Sequence, residues 1–147
     1  MTAQRARGKP GAATAFRLAL RVYWEDTDAA GIVFYANFLK FFERARTEWL
    51  RSLGFEQERL RAEAGIAFVV TETAVRYRLP ARLDDVLDVT VRVGHLGQAS
   101  LGVEQQAWRA GELLAEGTIR VGCVDLGTFR PRRVPDDILS KITTPAP

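Results

Sequence analysis

Residues 25–53 read EDTDAAGIVFYANFLKFFERARTEWLRSL, and this stretch decides how the rest of the chain must fold. Its second half has large apolar residues at the spacing of one helix face: Phe38, Leu39, Phe41, Phe42, Ala45, Trp49, Leu50 and Leu53. Each large side chain stabilises a fold by about 1.5–3 kcal/mol when it is buried, so a helix over 37–53 must be packed deeply. Gly54 follows at the position where a left-handed residue commonly ends a helix.

The loop that leads into this helix carries a carboxylate, Asp28, three residues before Gly31. The first turn of a helix has unpaired backbone N–H groups and the positive end of the helix dipole. A carboxylate beside that end can act on an electrophile whose developing oxyanion is received by those N–H groups. The pattern therefore predicts an acyl-transfer site that needs no Ser–His pair.

Strand patterns lie on both sides of the helix. Apolar and polar residues alternate over 16–22, which predicts a half-buried strand. After a short, mostly polar helical piece over 56–64, turn residues separate four further predicted strands, at 66–79, 86–93, 100–109 and 113–124. Short turns between strands imply an antiparallel sheet, and one apolar helix on one sheet makes a two-layer α+β domain. A last helical turn is predicted over 136–142.

The formal charge of +3 does not indicate a nucleic-acid partner. The chain has 21 basic and 18 acidic residues, and three of the basic ones lie within residues 1–14, which hold no acidic residue. The remaining body is neutral, whereas a nucleic-acid-binding domain usually has a basic face of its own. We expect residues 1–14 to be a disordered basic tail, with a short transit peptide as the alternative. Residues 15–147 are expected to form a single domain.

Cys123 is the only cysteine, so an intrachain disulfide and a cage of thiolate ligands are excluded. It sits in an apolar strand pattern and is expected to be a small buried hydrophobe. A chain without disulfides suits a reducing compartment. No apolar run approaches the roughly 18 residues of a membrane-spanning helix, and Arg17 and Arg21 interrupt the stretch that a signal peptide would use. We therefore expect a cytoplasmic protein.

The order of one strand, one helix and four strands, with an Asp-x-x-Gly loop before the helix, resembles the hotdog fold, in which a sheet wraps a central helix. DTDAAGIVFYANFLKFFERARTEWL, residues 26–50, is similar to the signature of the 4-hydroxybenzoyl-CoA thioesterase class. It most resembles the tol–pal-associated acyl-CoA thioesterase branch, and so does CVDLGTFRPRRVP, residues 123–135. The resemblance runs from about residue 16 to residue 139.

This resemblance implies an acyl-CoA thioesterase that requires no metal or redox cofactor and assembles as a homodimer or homotetramer with pockets between subunits. Asp28 matches the family's catalytic carboxylate, and would either attack the thioester carbonyl or activate water as a general base. A thioester suits such a weak base because a thiolate leaves without prior protonation. Without the surrounding motif, Asp28 would be interpreted as a turn residue. The carrier is CoA or an acyl carrier protein.

One residue departs from the tol–pal-associated branch. Many members of that branch have His where this chain has Tyr35, and the string GIVFYANF, residues 31–38, is closer to the hydroxybenzoyl-CoA enzyme. The role of that His is therefore not carried over. Phe34, Tyr35 and Phe38 would line a pocket for either aliphatic or aromatic acyl groups, so the preference between them stays open.

The residues at the helix start are candidates for substrate binding. Gly31 permits a positive φ or close approach of the acyl group, or simply a tight turn. Tyr35, Ala36 and Asn37 would supply backbone N–H groups to the oxyanion, although Asn37 is also typical of a helix cap. Asp26 is expected to be structural, as a hydrogen-bond acceptor within the loop.

Two groups of arginines are candidates for binding the phosphates of CoA, because the guanidinium fork matches phosphate oxygens. The first group, near the end of one predicted strand, is Arg76, Arg78 and Arg82. The second group, after the last strand, is Arg130, Arg132 and Arg133. The alternative is that they are ordinary surface arginines, which protect sheet edges from mispairing.

Two other functions are compatible with the pattern. A hotdog dehydratase would need a catalytic histidine, and His95 is the only one; because the family's histidine precedes the central helix, we expect a surface or turn role for His95. A non-catalytic acyl-thioester-binding protein would not need Asp28. Glu43 and Glu48 are expected to form solvated ion pairs with arginines on the helix.

Overall fold

The computed structural model describes residues 15–143 of the 147-residue chain, so the predicted basic tail over residues 1–14 lies outside the described residues. The strands are β1 (Phe16–Arg21), β2 (Ile66–Tyr77), β3 (Val86–Leu96), β4 (Ser100–Arg109) and β5 (Glu112–Asp125). The helices are α1 (Asn37–Ser52), α2 (Gln57–Arg59), which continues as a π-helical turn over Leu60–Ala64, and α3 (Asp136–Thr143). The predicted β-α-β4 order is confirmed.

The strands form one antiparallel sheet in the order β1-β3-β4-β5-β2. β2 pairs with β5 along its whole length, from Ile66 opposite Asp125 to Tyr77 opposite Ala115. The other side of β2 has no strand partner in the described part of the chain. Its outward backbone N–H and C=O groups are therefore available to a strand from another molecule.

Helix α1 packs across the inner face of this sheet. Phe41 and Phe42 are fully buried and share one core cluster with Val89, Val103 and Ile119, which come from three different strands. The apolar face of α1 is therefore buried against the sheet. The predicted α+β class, a long apolar helix on an antiparallel five-stranded sheet, is confirmed.

A polar pair lies between helix and sheet, with Gln105 buried and Arg46 partly buried. Gln105 of β4 is completely buried, and its amide donates to the backbone oxygens of Phe42 (3.0 Å) and Thr90 (3.2 Å). Its Oε1 accepts a hydrogen bond from Arg46 at 3.0 Å. Burial lowers the pKa of the Arg46 guanidinium, and the nearby Glu43 opposes that effect. Because the amide is fully bonded, this polar residue is tolerated beneath α1.

A second, smaller apolar cluster consists of Ile66, Cys123, Val134 and Ile138, and it anchors α3. Cys123 is buried, as predicted. Burial raises the pKa of its thiol, although Arg132 acts in the opposite direction. None of the described helices has the length and apolar character needed to cross a membrane.

The main departure from the predicted boundaries is in β3. The sequence pattern ends this strand at residue 93, whereas β3 continues to Leu96. The pairing register shifts between Val93 and His95, so Gly94 is accommodated as an irregularity inside the strand. His95 is exposed on this extension. The turn comes at Gly97, whose N–H donates to the Ser100 carbonyl at 2.7 Å.

Candidate active site

The segment that joins β1 to α1, residues 22–36, is called here the Asp28 loop. It begins with a 3-10 turn over Trp24–Asp26, and an isolated antiparallel bridge between Thr27 and Val33 then closes it. At the tip, the Asp28 N–H donates to the Ile32 carbonyl at 2.9 Å, and the Gly31 N–H donates to the Asp28 carbonyl at 2.9 Å. Gly31 has a φ of 79°, a left-handed conformation that glycine adopts without strain.

Asp28 lies at this tip and is exposed to solvent in the single chain. Its Oδ1 accepts a hydrogen bond from the Ala30 N–H at 2.9 Å. Within the described residues, no cationic side chain forms an ion pair with it. The turn role and the catalytic role are compatible, because a carboxylate with one local hydrogen bond keeps lone pairs for a substrate or for water.

Asp26 is the buried carboxylate of the loop, with 4% of its surface exposed. Its Oδ1 accepts a hydrogen bond from the Asn37 side-chain amide at 2.7 Å, and its Oδ2 accepts one from the Tyr23 N–H at 2.8 Å. Its backbone oxygen accepts a third, from the Phe34 N–H at 2.9 Å. Asp26 therefore ties the loop to the first residue of α1, and the predicted structural role is confirmed.

Among the described residues, two backbone N–H groups at the start of α1 have no hydrogen-bond acceptor. The N–H groups of Asn37, Phe38 and Leu39 each donate to the carbonyl three residues earlier, at 2.8, 3.3 and 3.1 Å. Those of Tyr35 and Ala36 have no acceptor within residues 15–143. Asn37 differs from the expectation in two ways: a tight turn already uses its N–H, and it is the first helical residue, preceded by Ala36 as the cap.

An aromatic cluster covers the start of the helix. The ring of Tyr35 lies 4.9 Å from that of Phe34 and 5.9 Å from that of Tyr77, and Tyr77 lies 5.8 Å from Phe38. Burial and the neighbouring Tyr35 raise the pKa of the Tyr77 phenol. Phe34 and Tyr35 are largely exposed, which leaves an aromatic surface open to a ligand or to a partner subunit.

Tyr77 is a candidate that the sequence reasoning missed. It is the last residue of β2, and alternation along the strand places its side chain on the helix side of the sheet. The available signal was its apolar neighbour Val75, two residues earlier on the same face. Nothing in the sequence indicated that this end of β2 lies beside the start of α1.

The structure separates the three arginines predicted to bind CoA. Arg82 forms an antiparallel bridge with Ile32, so it lies directly beside the Asp28 loop. Arg76 and Arg78 instead contribute to an open groove of about 410 Å³ on the outer face of the sheet. Arg78 is paired there with Glu116 at 2.5 Å. These two arginines therefore lie on the opposite face of the sheet from Tyr77.

The remaining charged candidates make local contacts. Arg132 donates to the Ala64 carbonyl at 2.8 Å and lies 3.5 Å from Asp125. Arg133 lies 3.9 Å from Asp136. Glu48 is paired with Arg51 on the exposed side of α1, as predicted. In residues 15–143, no group of three or more His, Cys, Asp or Glu side chains has an arrangement that suits a metal ion.

One loop–helix unit thus carries an exposed carboxylate, free amides at the helix start and an aromatic surface. This is the arrangement expected of a thioester-cleaving hotdog protein. The model of the Thioesterase-like superfamily matches residues 22–142. The acyl-CoA thioesterase YbgC of Haemophilus influenzae is 45% identical over 123 residues, which cover 84% of this chain and 90% of that protein. The acyl-CoA thioester hydrolase YbgC of Escherichia coli O6:H1 is 43% identical over 129 residues, which cover 87% and 96%.

Solved structures agree with the sequence comparison. A probable thioesterase from Bartonella henselae superposes with a TM-score of 0.79 at 31% identity, covering 82% of this chain and 99% of that chain. The 1,4-dihydroxy-2-naphthoyl-CoA thioesterase Slr0204 from Synechocystis has the same fold, with a TM-score of 0.81 at 22% identity and coverage of 87% and 95%. This chain belongs to the thioesterase-like superfamily, and the hotdog architecture expected from its sequence is confirmed.

Proposed function

We propose that this protein hydrolyses acyl-CoA thioesters to the free acid and CoA, with Asp28 as nucleophile or general base and the start of α1 as the oxyanion site. The observation that carries the proposal is the hydrogen-bonded connection between the two groups. The buried Asp26–Asn37 hydrogen bond ties the loop to α1, and the Thr27–Val33 bridge fixes the turn that bears Asp28. The relatives from H. influenzae and E. coli support the substrate class, since both are acyl-CoA thioester hydrolases.

The chemistry needs few groups. In one route, an Asp28 oxygen attacks the thioester carbonyl carbon, the carbon–sulfur bond breaks, and CoA leaves as the thiolate; water then hydrolyses the acyl anhydride. In the other route, Asp28 takes a proton from the attacking water. In both, the carbonyl oxygen gains negative charge, and the N–H groups of Tyr35 and Ala36 would donate to it. Losing one such donor costs about 10²–10³-fold in rate in other enzymes.

The surroundings suggest how the substrate is held. The rings of Phe34, Tyr35 and Tyr77 would contact the acyl group, and Gly31 lets the acyl group approach the turn closely. Arg82 is the predicted phosphate ligand nearest the loop, whereas Arg76 and Arg78 would reach CoA only if it extends around the edge of β2. A cytoplasmic location stays a prediction, as does CoA as the carrier, with an acyl carrier protein as the alternative.

We propose further that the pocket is completed by a second copy of the chain, in a homodimer or in a homotetramer built from two such dimers. Asp28 is exposed in the single chain, and an open site would not exclude water from competing with the substrate contacts. The outer edge of β2 is unpaired in the described residues, and Val70 on that strand is 48% exposed. Antiparallel pairing of two β2 edges would cover both the unpaired edge and Val70.

The test is the release of free thiol from a panel of acyl-CoA substrates by wild-type protein and by Asp28→Asn. We expect the variant to bind acyl-CoA and to lose at least about 10²-fold in kcat, the usual loss when an acid–base group is removed. The matched control is Glu25→Gln, which removes an exposed acid from the same loop. Wild-type turnover by Asp28→Asn would reject the proposed role and favour a non-catalytic binder. Loss of turnover in His95→Ala would favour the dehydratase alternative.

A further inference from the structure

The Asp28 loop is held against one short segment of the chain, residues 80–85. The Val33 N–H donates to the Ala81 carbonyl at 2.8 Å. At the beginning of the loop, the Val22 N–H donates to the Asp85 carbonyl at 2.8 Å, and the Val22 carbonyl accepts from the Asp84 N–H at 3.0 Å. Along the sequence, these contacts flank Asp28, with Val22 before it and Val33 after it. The position of the carboxylate therefore depends on where residues 80–85 are held.

One arginine from β4 holds both ends of that segment. Arg109 Nη1 donates to the Pro80 carbonyl at 3.0 Å and to Asp85 Oδ2 at 2.9 Å. The same Asp85 oxygen accepts the Arg82 N–H at 2.8 Å, which closes the turn inside the segment. Both the Arg109 and Asp85 side chains are more than three-quarters shielded from solvent, with 22% and 23% of their surfaces exposed. The other guanidinium nitrogen, Nη2, donates to Glu112 at 3.1 Å.

We propose that Arg109 and Asp85 are positioning residues for hydrolysis, acting through the 80–85 segment on the Asp28 loop. The inference rests on the proposed function of Asp28, and neither residue is assigned a contact with substrate. The path of contacts runs from Arg109 to Pro80 and Asp85, and from the segment through Ala81 to Val33. Breaking the contacts between Arg109 and Asp85 lets the Asp28 turn shift relative to the start of α1. A misplacement of about 1 Å costs on the order of 10²-fold in rate.

Asp85 and Glu112 provide a matched pair of variants. Both side chains accept a hydrogen bond from Arg109, and both Asp85→Asn and Glu112→Gln remove one negative charge. Only Asp85 belongs to the segment that contacts the Asp28 loop. We expect Asp85→Asn to lower kcat by at least about tenfold with KM within about threefold of wild type, because orientation and not binding is lost. Glu112→Gln should keep kcat within about twofold.

Hydrogen exchange of the Val33 amide measures the contact without reference to turnover. In Asp85→Asn this amide should exchange at least about tenfold faster, as expected for local opening, while the amide of Val103 in the middle of β4 keeps its wild-type rate. An equal kcat loss in Glu112→Gln, a Val33 rate that does not change, or faster Val33 exchange with wild-type kcat would each overturn the proposal. Uniformly faster exchange at Val33 and Val103 would also overturn it, because that indicates general destabilisation.

The two proposals fail separately. Full turnover by Asp28→Asn removes the proposed catalytic role of Asp28. The Val33 exchange experiment still reports whether Asp85 and Arg109 hold the loop.

Discussion

Asp26→Asn and Asp28→Asn make the same chemical change two residues apart, and we expect only the first to lower stability substantially. The Asp26 carboxylate is buried and accepts two hydrogen bonds, from the Asn37 side chain at 2.7 Å and from the Tyr23 N–H at 2.8 Å. Asp28 is exposed and accepts one hydrogen bond, from Ala30 within its own turn. We therefore expect the first substitution to act on folding and the second to act on the proposed chemistry.

The expected magnitude follows from the bonds lost. An amide at position 26 has one oxygen, so it accepts only one of the two hydrogen bonds and presents an N–H group to the other donor. A hydrogen bond to a charged group contributes about 1.5–3 kcal/mol, and an unsatisfied buried donor adds a further cost, so the free energy of unfolding should fall by about 2–4 kcal/mol. For Asp28→Asn the change should stay within about 0.5 kcal/mol, as for most exposed positions.

A reciprocal exchange tests the geometry more directly. When Asp26→Asn is combined with Asn37→Asp, the amide and the carboxylate change places. The hydrogen bond between positions 26 and 37 can then form with its donor reversed, and the Tyr23 N–H still donates to the side-chain oxygen at position 26. A carboxylate in the first turn of α1 is also favoured by the helix dipole. The double variant should be more stable than the sum of the two single effects by at least about 1 kcal/mol.

The assay is urea unfolding followed by far-ultraviolet circular dichroism, at one fixed protein concentration because association would add to the apparent stability. Wild-type stability in Asp26→Asn, or simple additivity in the double variant, would refute the view that Asp26 fastens the loop to α1. A large loss of stability in Asp28→Asn would contradict the distinction drawn between the two carboxylates.

Three further predictions follow from the sheet edge, the aromatic cluster and the ion pair. Val70→Lys should convert the proposed dimer to monomer in size-exclusion chromatography with light scattering, because lysine on an edge strand prevents pairing; Val86→Lys, at a similarly exposed valine away from β2, should leave the proposed dimer intact. Tyr77→Phe should keep KM for acyl-CoA near wild type and Tyr77→Ala should raise it about tenfold, since the ring and not the hydroxyl makes the contacts; equal KM values would contradict this. Burial raises the pKa of the Asp85 carboxyl, but its hydrogen bonds to a backbone N–H and to Arg109 outweigh burial and hold the pKa below its ordinary value. The stability contributed by Asp85 is therefore fully present above the ordinary carboxyl pKa of about 4 and is lost as pH falls through the lower folded value, so the stability difference between wild type and Asp85→Asn should shrink only in that acid range.

The helices and strands of this fold were predictable because apolar residues repeat at a different spacing in each type of element. Apolar residues at helical spacing over 37–53 correspond to α1 (Asn37–Ser52), and alternation over 16–22 corresponds to β1 (Phe16–Arg21). The spacing at which apolar residues repeat indicates the local backbone conformation, since side chains repeat every 3.6 residues on a helix and every two on a strand. The extension of β3 to Leu96 was missed because Gly94, usually a sign of a turn, lies at an irregularity inside the strand.

The candidate site was predictable only in part. The motif located Asp28, Gly31 and the helix start, all of which lie within one continuous stretch of sequence. The hydrogen bonds of the turn already use the Asn37 N–H, and this leaves Tyr35 and Ala36 as the candidate oxyanion donors. No pattern in the sequence distinguished these three adjacent amides.

The arrangement of residues around the site depends on contacts between distant segments. Tyr77 meets Tyr35 because β2 occupies the edge position beside β5, and Arg109 reaches Asp85 because the end of β4 lies beside the turn that precedes β3. Composition and periodicity describe neighbours along the chain, so they specified the helix, the strands and the carboxylate turn. Strand order and loop docking bring together residues tens of positions apart, and only the folded chain shows which of them share the site.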